Sequence, residues 1–330
     1  MAFYDKFVIK SGTKVDLDKF DPDDTCGWTK EDAIKRTAEN HARMKELQEV
    51  MYAEHKHSLC AVFQAVDAAG KDGAVNNNGS EMNIEGVVAT SLKEPTKKEL
   101  DQDFLTRVEA VMPTKGMIGF LNRSHYEDVL VVRVKKLAPK EVIKKRYGHI
   151  NHFEERHLDN GTDWLKYYLL ISQEEQWKRF GQRAGDPDKL WKLADGKPKP
   201  DGSGDYAGGD LLESTLWKPH REAANIALSK TSKPGREWIV VPSNHKWFRD
   251  LVVSETMKDK MEAMHMKYPE PAANTDKILE HHFAGKEWKH LREIFNEARE
   301  KAANKGQKLG KHKKPEHKRT AAAASAAKAK

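Results

Sequence analysis

The chain has 330 residues, a third of them charged and 8% aromatic, enough for one large domain with appendages or for two small ones. Two cysteines, Cys26 and Cys60, exclude a disulfide framework, and no apolar run approaches the roughly 20 residues that span a bilayer. The net charge of +7 is local: residues 304–330 hold nine Lys/Arg against Glu316, so this tail carries +8 and the rest about −1.

In chain order, residues 1–28 are polar and turn-rich, punctuated by Asp21-Pro22-Asp23-Asp24. Thr29-x-x-Asp32 predicts a helix N-terminus, and the Ala/Glu/Lys/Met/Leu-rich stretch to His55 predicts the helix itself. Short apolar runs follow at 59–66, 86–92, 117–121, 164–171 and 238–241, each bounded by polar or turn residues as buried parallel strands are. Thr96-x-x-Glu99, Ser124-x-x-Glu127 and Ser172-x-x-Glu175 come a few residues after such runs and fit capping boxes. Strand, cap, helix, strand predicts an α/β protein with a parallel sheet. The β-branched run 129–134 suits a strand, but the cap before it favours a helix, which is the expectation here. Residues 183–209 lose periodicity and turn rich in Gly, Pro, Asp and Lys; their front, with Trp191, predicts a lid and their back a flexible insertion. A helix is expected over 275–300, then a disordered basic tail able to touch polyanions, nucleic acid included, only non-specifically. With no N-terminal secretory signal, the chain is expected to be soluble and cytoplasmic.

The segment CAVFQAVDAAGKDGAV, 60–75, is an apolar run stopping in a glycine-lysine turn. That is the shape of a strand entering a phosphate-cradling loop and then a helix, whose N-terminal amides attract anionic oxygen. The usual pattern is G-x-x-x-x-G-K-[ST]; here Ala65 stands at the first glycine and Asp72 after Lys71. Asp67, Ala68, Ala69, Gly70, Lys71, Asp72 and Gly73 form the candidate loop, and a carboxylate inside it suits a metal or a transferable proton. Phosphoryl transfer needs in-line positioning and positive charge more than covalent help. Asn122-Arg123 closes the strand over 117–121, and Lys178, Arg179 and Arg183 follow the strand over 164–171, so both groups sit where open α/β sheets bind ligands. HExxH, a zinc-like Cys/His spacing, G-x-S-x-G and GxGxxG are all missing from the sequence.

The runs GFLNRSHYEDVLVVRV (119–134) and RYGHINHFE (146–154) resemble the polyphosphate kinase 2 family, in particular its nucleotide-phosphorylating members. VDLDKFDPDD, AVDAAGKDG, SLKEP, ELDQDFLTR and VVPSNHKWFRDLVV fit the same family in the same order, over residues 8–271. The resemblance implies a P-loop-kinase-like three-layer α/β/α sandwich with a helical lid, in four parts: an N-terminal arm and helix (1–55), a catalytic domain (56–271, lid about 180–210), a helical extension (272–303) and the tail (304–330). It implies Mg2+-dependent phosphoryl transfer between inorganic polyphosphate and a nucleoside mono- or diphosphate, in a homodimer or homotetramer. Asp67 would then place the accepting oxygen and the metal, Lys71 would bind phosphates, and Arg183 would neutralise the moving phosphoryl group from the lid. Asn122 and Arg123 would form a second phosphate motif, and Glu127 would bear on acceptor choice. A polyphosphate track would draw on Lys93, Arg107, Arg133, Arg179 and Lys192. The chain departs from the family's pattern at Ala65, which would strain the loop if a positive φ is needed there, at Thr106 in place of a common Trp, in the polar run 74–83, and in the lid insert. An ATP-dependent P-loop nucleotide kinase, or a decayed core that only binds polyanions, are the alternatives.

Overall fold

All five apolar runs lie side by side in one sheet of the computed structural model, which describes residues 2–192, 197–198, 206–207, 209–270 and 274–310. The strands are β1 (Val8–Ile9), β2 (Ser58–Gln64), β3 (Val87–Ser91), β4 (Ile118–Asn122), β5 (Thr162–Leu170) and β6 (Trp238–Pro242), in the order β1-β6-β5-β2-β4-β3. Every pairing from β6 to β3 is parallel. The parallel sheet gains one further strand outside the predicted runs: β1 pairs antiparallel to β6 through Val8–Ile239 and Ile9–Trp238. Two residues in a polar segment are too few to show a strand period.

Counted from β2, the parallel strands run 2-3-1-4-5 across the sheet. The chain leaves β2, crosses β4's place to reach β3, returns to β4 and then passes β2 to β5. Such a reversal opens a crevice beyond the carboxyl end of the central strand, here β2, flanked by β4 and β5.

Side-chain alternation sorts the layers. Leu59, Ala61 and Phe63 of β2 join the core with α1 (Lys30–Glu54), α2 (Lys71–Gly79) and, after β6, the helix Lys246–Ala263. Cys60 and Val62 join the opposite core, with the helices Lys140–Asp159 and Trp217–Thr231. In chain order these are α3 (Lys140–Asp159), α4 (Gln173–Ala184, following β5), α5 (Trp217–Thr231) and α6 (Lys246–Ala263). The fold is therefore a P-loop-kinase-like α/β/α sandwich. At its centre Phe63 stacks on Tyr167, with ring centroids 5.0 Å apart, and on Phe120 at 6.2 Å. At one margin β3 is the outermost strand, with Val88, Ala89 and Ser91 exposed.

Local expectations fare unevenly. Thr29 Oγ1 accepts from Asp32 N and caps α1. The run over 129–134 is helical only for the single turn Val131–Val134, after a 3-10 turn His125–Asp128. The expected helix over 275–300 is two, α7 (Thr275–His282) and α8 (Lys289–Gly310), parted by a 3-10 turn at Lys286–Trp288. Because α8 continues to Gly310, the tail's first residues are helical, and 311–330 lie outside the described residues. In the lid region Pro187–Lys192 form a 3-10 helix and Lys197–Pro198 pair antiparallel with Tyr206–Ala207; the rest of 193–208 lies outside the described residues. The chain divides into compact units Met1–Pro269 and Glu270–Lys330. Among the described residues no helix is long and apolar enough to cross a membrane.

The helix pair α1–α6 is clamped by charge. Arg36 Nε and Nη2 fork onto Glu255 at 2.9 and 2.8 Å, Asn40 Nδ2 adds a bond at 2.8 Å, and Lys258 Nζ a fourth at 2.5 Å. Burial opposes ionisation of Glu255, but these partners outweigh it and bring its carboxyl from 4.5 down to about 2. A depressed carboxylate stabilises the fold above its ordinary pKa and loses that contribution as pH falls through its folded value. Glu255→Gln should therefore cost about 3 kcal/mol at pH 7. In thermal melts the gap between variant and wild type should close between pH 4.5 and pH 2.

Candidate active site

β2 ends at Gln64, and the chain turns through Ala65–Gly70 before α2 begins at Lys71. Strain falls on different residues from the one expected. Ala65 has no positive φ; the left-handed positions are Ala68 (φ 64°) and Gly70 (φ 102°). The alanine at the first-glycine position is thus accommodated, and the expected crowding at Ala65 does not arise. Gly70 is fixed by both backbone and space, since a Cβ there would lie 2.4 Å from Arg249 Nη1. Lys71 Nζ crosses the loop and donates to the carbonyls of Ala65 (2.9 Å) and Val66 (3.3 Å). Burial lowers the pKa of this ammonium, while neighbouring Asp67 works the other way.

Two arginines hold the loop from outside. Arg179 on α4 sends Nη1 to the carbonyls of Ala68 and Ala69 (3.0 and 2.9 Å) and Nη2 to those of Ser243 and Asn244 (2.6 and 3.1 Å). Its Nε bonds Glu175 Oε1 at 2.7 Å. Arg249 on α6 donates to the Gly70 carbonyl at 3.1 Å and is itself oriented by Asp250. These bonds correct two readings. Arg179 is buried and committed to the protein, so it positions the loop and does not line a surface track. Glu175 does not close the capping box; Ser172 Oγ accepts from Glu175 N, but Ser172 N donates to Asn244 and the Glu175 carboxylate serves Arg179.

The acidic side of the site faces β4. Arg123, at φ 63°, follows Asn122 at the strand's end, and its Nη2 reaches Asp67 Oδ1 at 3.1 Å. Asn122 Nδ2 donates to Asp72 Oδ1 at 2.6 Å, tying β4 to the first turn of α2. Gln176 Nε2 holds the Asp67 carbonyl at 3.0 Å. Glu127 also departs from its capping box. Ser124 Oγ caps Tyr126 N instead, and the Gln64 amide donates to Glu127 Oε1 (2.8 Å) while accepting from Ser124 Oγ and N. Burial raises the Glu127 pKa, opposed by Arg123 and Lys71. A half-buried carboxylate therefore sits within the field of both phosphate-loop cations. His220, at the start of α5, also feels Asp67 and lies 3.6 Å from Glu213.

The other candidates are dispersed. Arg183, one turn beyond Arg179 on α4, lies over the Phe180 ring at 5.9 Å. Lys93 is exposed just past β3. Arg107 donates to the Lys93 carbonyl at 2.7 Å and pairs with Glu99, so it braces this segment. Arg133 lies beside Tyr147 on α3, and the Lys192 side chain lies outside the described residues. Sequence reading did not assign Gln64, Gln176, His220 or Arg249 to the site. For Arg249 the signal was available: it lies in the first turn after β6, at the same end of the sheet as Lys71 and Arg123.

Amides at a helix N-terminus, a buried lysine, an Asp–Arg pair and a second carboxylate can bind phosphates and stabilise charge moving between them. Residues 27–269 match the family model for polyphosphate kinase 2. The chain is similar to an AMP/ADP-polyphosphate phosphotransferase of Meiothermus ruber, 39% identical over 276 residues that cover 83% of this chain and 98% of that protein. It is also similar to an ADP-polyphosphate phosphotransferase of Rhodopseudomonas palustris, 34% identical over 80% of this chain and 92% of that one. A crystal structure of polyphosphate kinase 2 from Arthrobacter aurescens superimposes with a TM-score of 0.76 at 35% identity, covering 84% of this chain and 95% of that one. The chain belongs to the polyphosphate kinase 2 family.

Gly70→Ala tests the loop directly. It places a side chain at φ 102° and drives Cβ into Arg249, with backbone strain alone of about 1–2 kcal/mol. The expected result is a lower melting temperature and at least a tenfold loss of pyrophosphate affinity by titration calorimetry.

Proposed function

We infer that this protein is a polyphosphate-dependent nucleotide phosphotransferase, moving a phosphoryl group between inorganic polyphosphate and AMP or ADP. The observation that carries the reading is the placement of the Asp67–Arg123 pair and Lys71 around one phosphate loop, in a chain of this family. Lys71 and the amides opening α2 would bind the phosphates. Arg123 would hold Asp67 in place and help neutralise the transferred group, and Arg183 would bring charge from the lid side. Glu127, between loop and β4, would bear on the acceptor. Transfer of this kind needs positioning and electrostatics, and that is what these residues offer.

Mg2+ fits the donor set as a proposed cofactor. Among the described residues no group of three or more His, Cys, Asp or Glu is arranged to cage a metal. Magnesium commonly uses one or two carboxylates and completes its shell with phosphates and water. The half-exposed Asp67 carboxylate supplies such a ligand beside the loop. When bound, the ion would help neutralise the negative charge of the phosphates.

Lys93 is proposed as an outer contact for the polyanion, with salt-sensitive binding by counterion release. Of the two alternative readings, a decayed core would be favoured by a strained loop at Ala65, and Ala65 has no positive φ. Among the described residues no feature of the site favours ATP over polyphosphate as donor. We also propose a cytoplasmic homodimer or homotetramer, read by light scattering as two or four chain masses.

The deciding assay supplies AMP or ADP with magnesium and long-chain polyphosphate, and no ATP as donor. ADP or ATP should form, and Asp67→Asn should lower kcat at least 100-fold, in the range found when one transition-state contact is removed. Turnover with ATP as the only effective donor, or an Asp67→Asn variant as active as wild type, would overturn the reading.

A further inference from the structure

Beneath the turn that carries Arg123 and Glu127 lies a charged cluster whose hydrogen bonds, among the described residues, are made away from the phosphate loop. Lys166 is in the middle of β5, paired with Val62 of β2 and Trp238 of β6, and is fully buried. Its Nζ donates to Glu154 Oε2 (2.7 Å), to the Tyr126 hydroxyl (3.0 Å) and to the Thr231 carbonyl (2.7 Å). Glu154, on α3 and equally buried, accepts from the Tyr126 hydroxyl at 2.5 Å, and His125 Nε2 lies 3.3 Å from the same oxygen. Arg236 completes the cluster at 3.9 Å from Glu154. The Lys166 ammonium also lies over the rings of Tyr126 and Trp238.

Fold stability alone does not account for this cluster, because a well-packed apolar replacement of a buried ion pair is often as stable or more so. Directional bonds differ from apolar contacts in fixing where their partners sit. The partners fixed here are Tyr126 and His125, which lie in sequence between Arg123 and Glu127. The turn His125–Asp128 is a single 3-10 turn, too short to set its own position. Its first two side chains point into the cluster, while Arg123 before it reaches Asp67 and Glu127 after them meets Gln64.

We propose that Tyr126, Glu154 and Lys166 are positioning residues: a buried ion pair whose function is to hold the acceptor turn, and with it Arg123 and Glu127, against the phosphate loop. The catalytic part of this inference rests on the phosphotransferase reading above; the part about the turn does not.

Two variants and two readouts test it. Tyr126→Phe removes only the hydroxyl shared by Glu154 and Lys166. The pair Glu154→Leu/Lys166→Met replaces the charges with apolar side chains of similar size. In Tyr126→Phe, hydrogen exchange of the backbone amides over 122–130 should speed at least tenfold, while those of β2 and β5 are unchanged. In the polyphosphate assay the same variant should lose at least tenfold in kcat, with polyphosphate affinity and melting temperature near wild type. The apolar pair also takes the Glu154 carboxylate from Tyr126, His125 and Arg236, and it should share the kcat loss. Unchanged exchange over 122–130 in Tyr126→Phe overturns the proposal, as does faster exchange throughout the chain, which would make the cluster a general support. If the apolar pair does not fold, Tyr126→Phe decides alone. If wild type shows no polyphosphate-dependent turnover, the functional reading fails and the exchange result still stands or falls by itself.

Discussion

One guanidinium, that of Arg179, links the phosphate loop to the rest of the sandwich. Its two terminal nitrogens bond four carbonyls, two in the loop after β2 and two just past β6. A lysine could not span them, since an ammonium lacks the planar fork. A loop whose amides are to face anions must turn carbonyls elsewhere, and buried carbonyls need donors. Arg179, Arg249 and Lys71 are those donors. Glu175 and Asp250 in turn orient the arginines, so the loop is held by a ring of side chains from α2, α4 and α6.

The same economy of charge recurs across β4. Asn122 and Arg123 link that strand to Asp72 and Asp67, so the loop is braced from both neighbours of β2. The left-handed backbone at Arg123 is a non-glycine exception of the kind that clusters where structure is shaped for ligands. Most of the cations near the loop are therefore already engaged with protein oxygens, which keeps positive charge dense without leaving it unbalanced.

Much of this fold was legible because parallel strands read as short, mostly apolar runs, and all five such runs are strands, although β3 is a largely exposed edge. β1 was not, since Val8 and Ile9 carry no period and gain their identity only from β6. The capping boxes are more instructive. Thr96 and Glu99 close theirs fully on an exposed turn. Ser124/Glu127 and Ser172/Glu175 match the same pattern, yet each glutamate is diverted, one to Gln64 beside the loop and one to Arg179. A local rule failed where a tertiary demand was stronger, and both failures lie at the site. Lys166 gave a related signal: a lysine inside the run 164–171 has no sequence neighbour to neutralise it, so its partner had to come from another element. Arg179 was assigned to a surface track because sequence gives charge and not burial.

The sheet has two unlike margins. At one side the two residues of β1 run against β6 and cap it. At the other, β3 is five residues long, shows Val88 and Ala89 to solvent, and among the described residues has no strand beyond it. Open backbone of that kind is a template for a further strand. The sandwich thus has unequal edges, a five-residue strand outermost on its β3 side and the two-residue β1 outermost on its β6 side. A strand added by a partner chain or by misassembly would find its longer backbone template along β3.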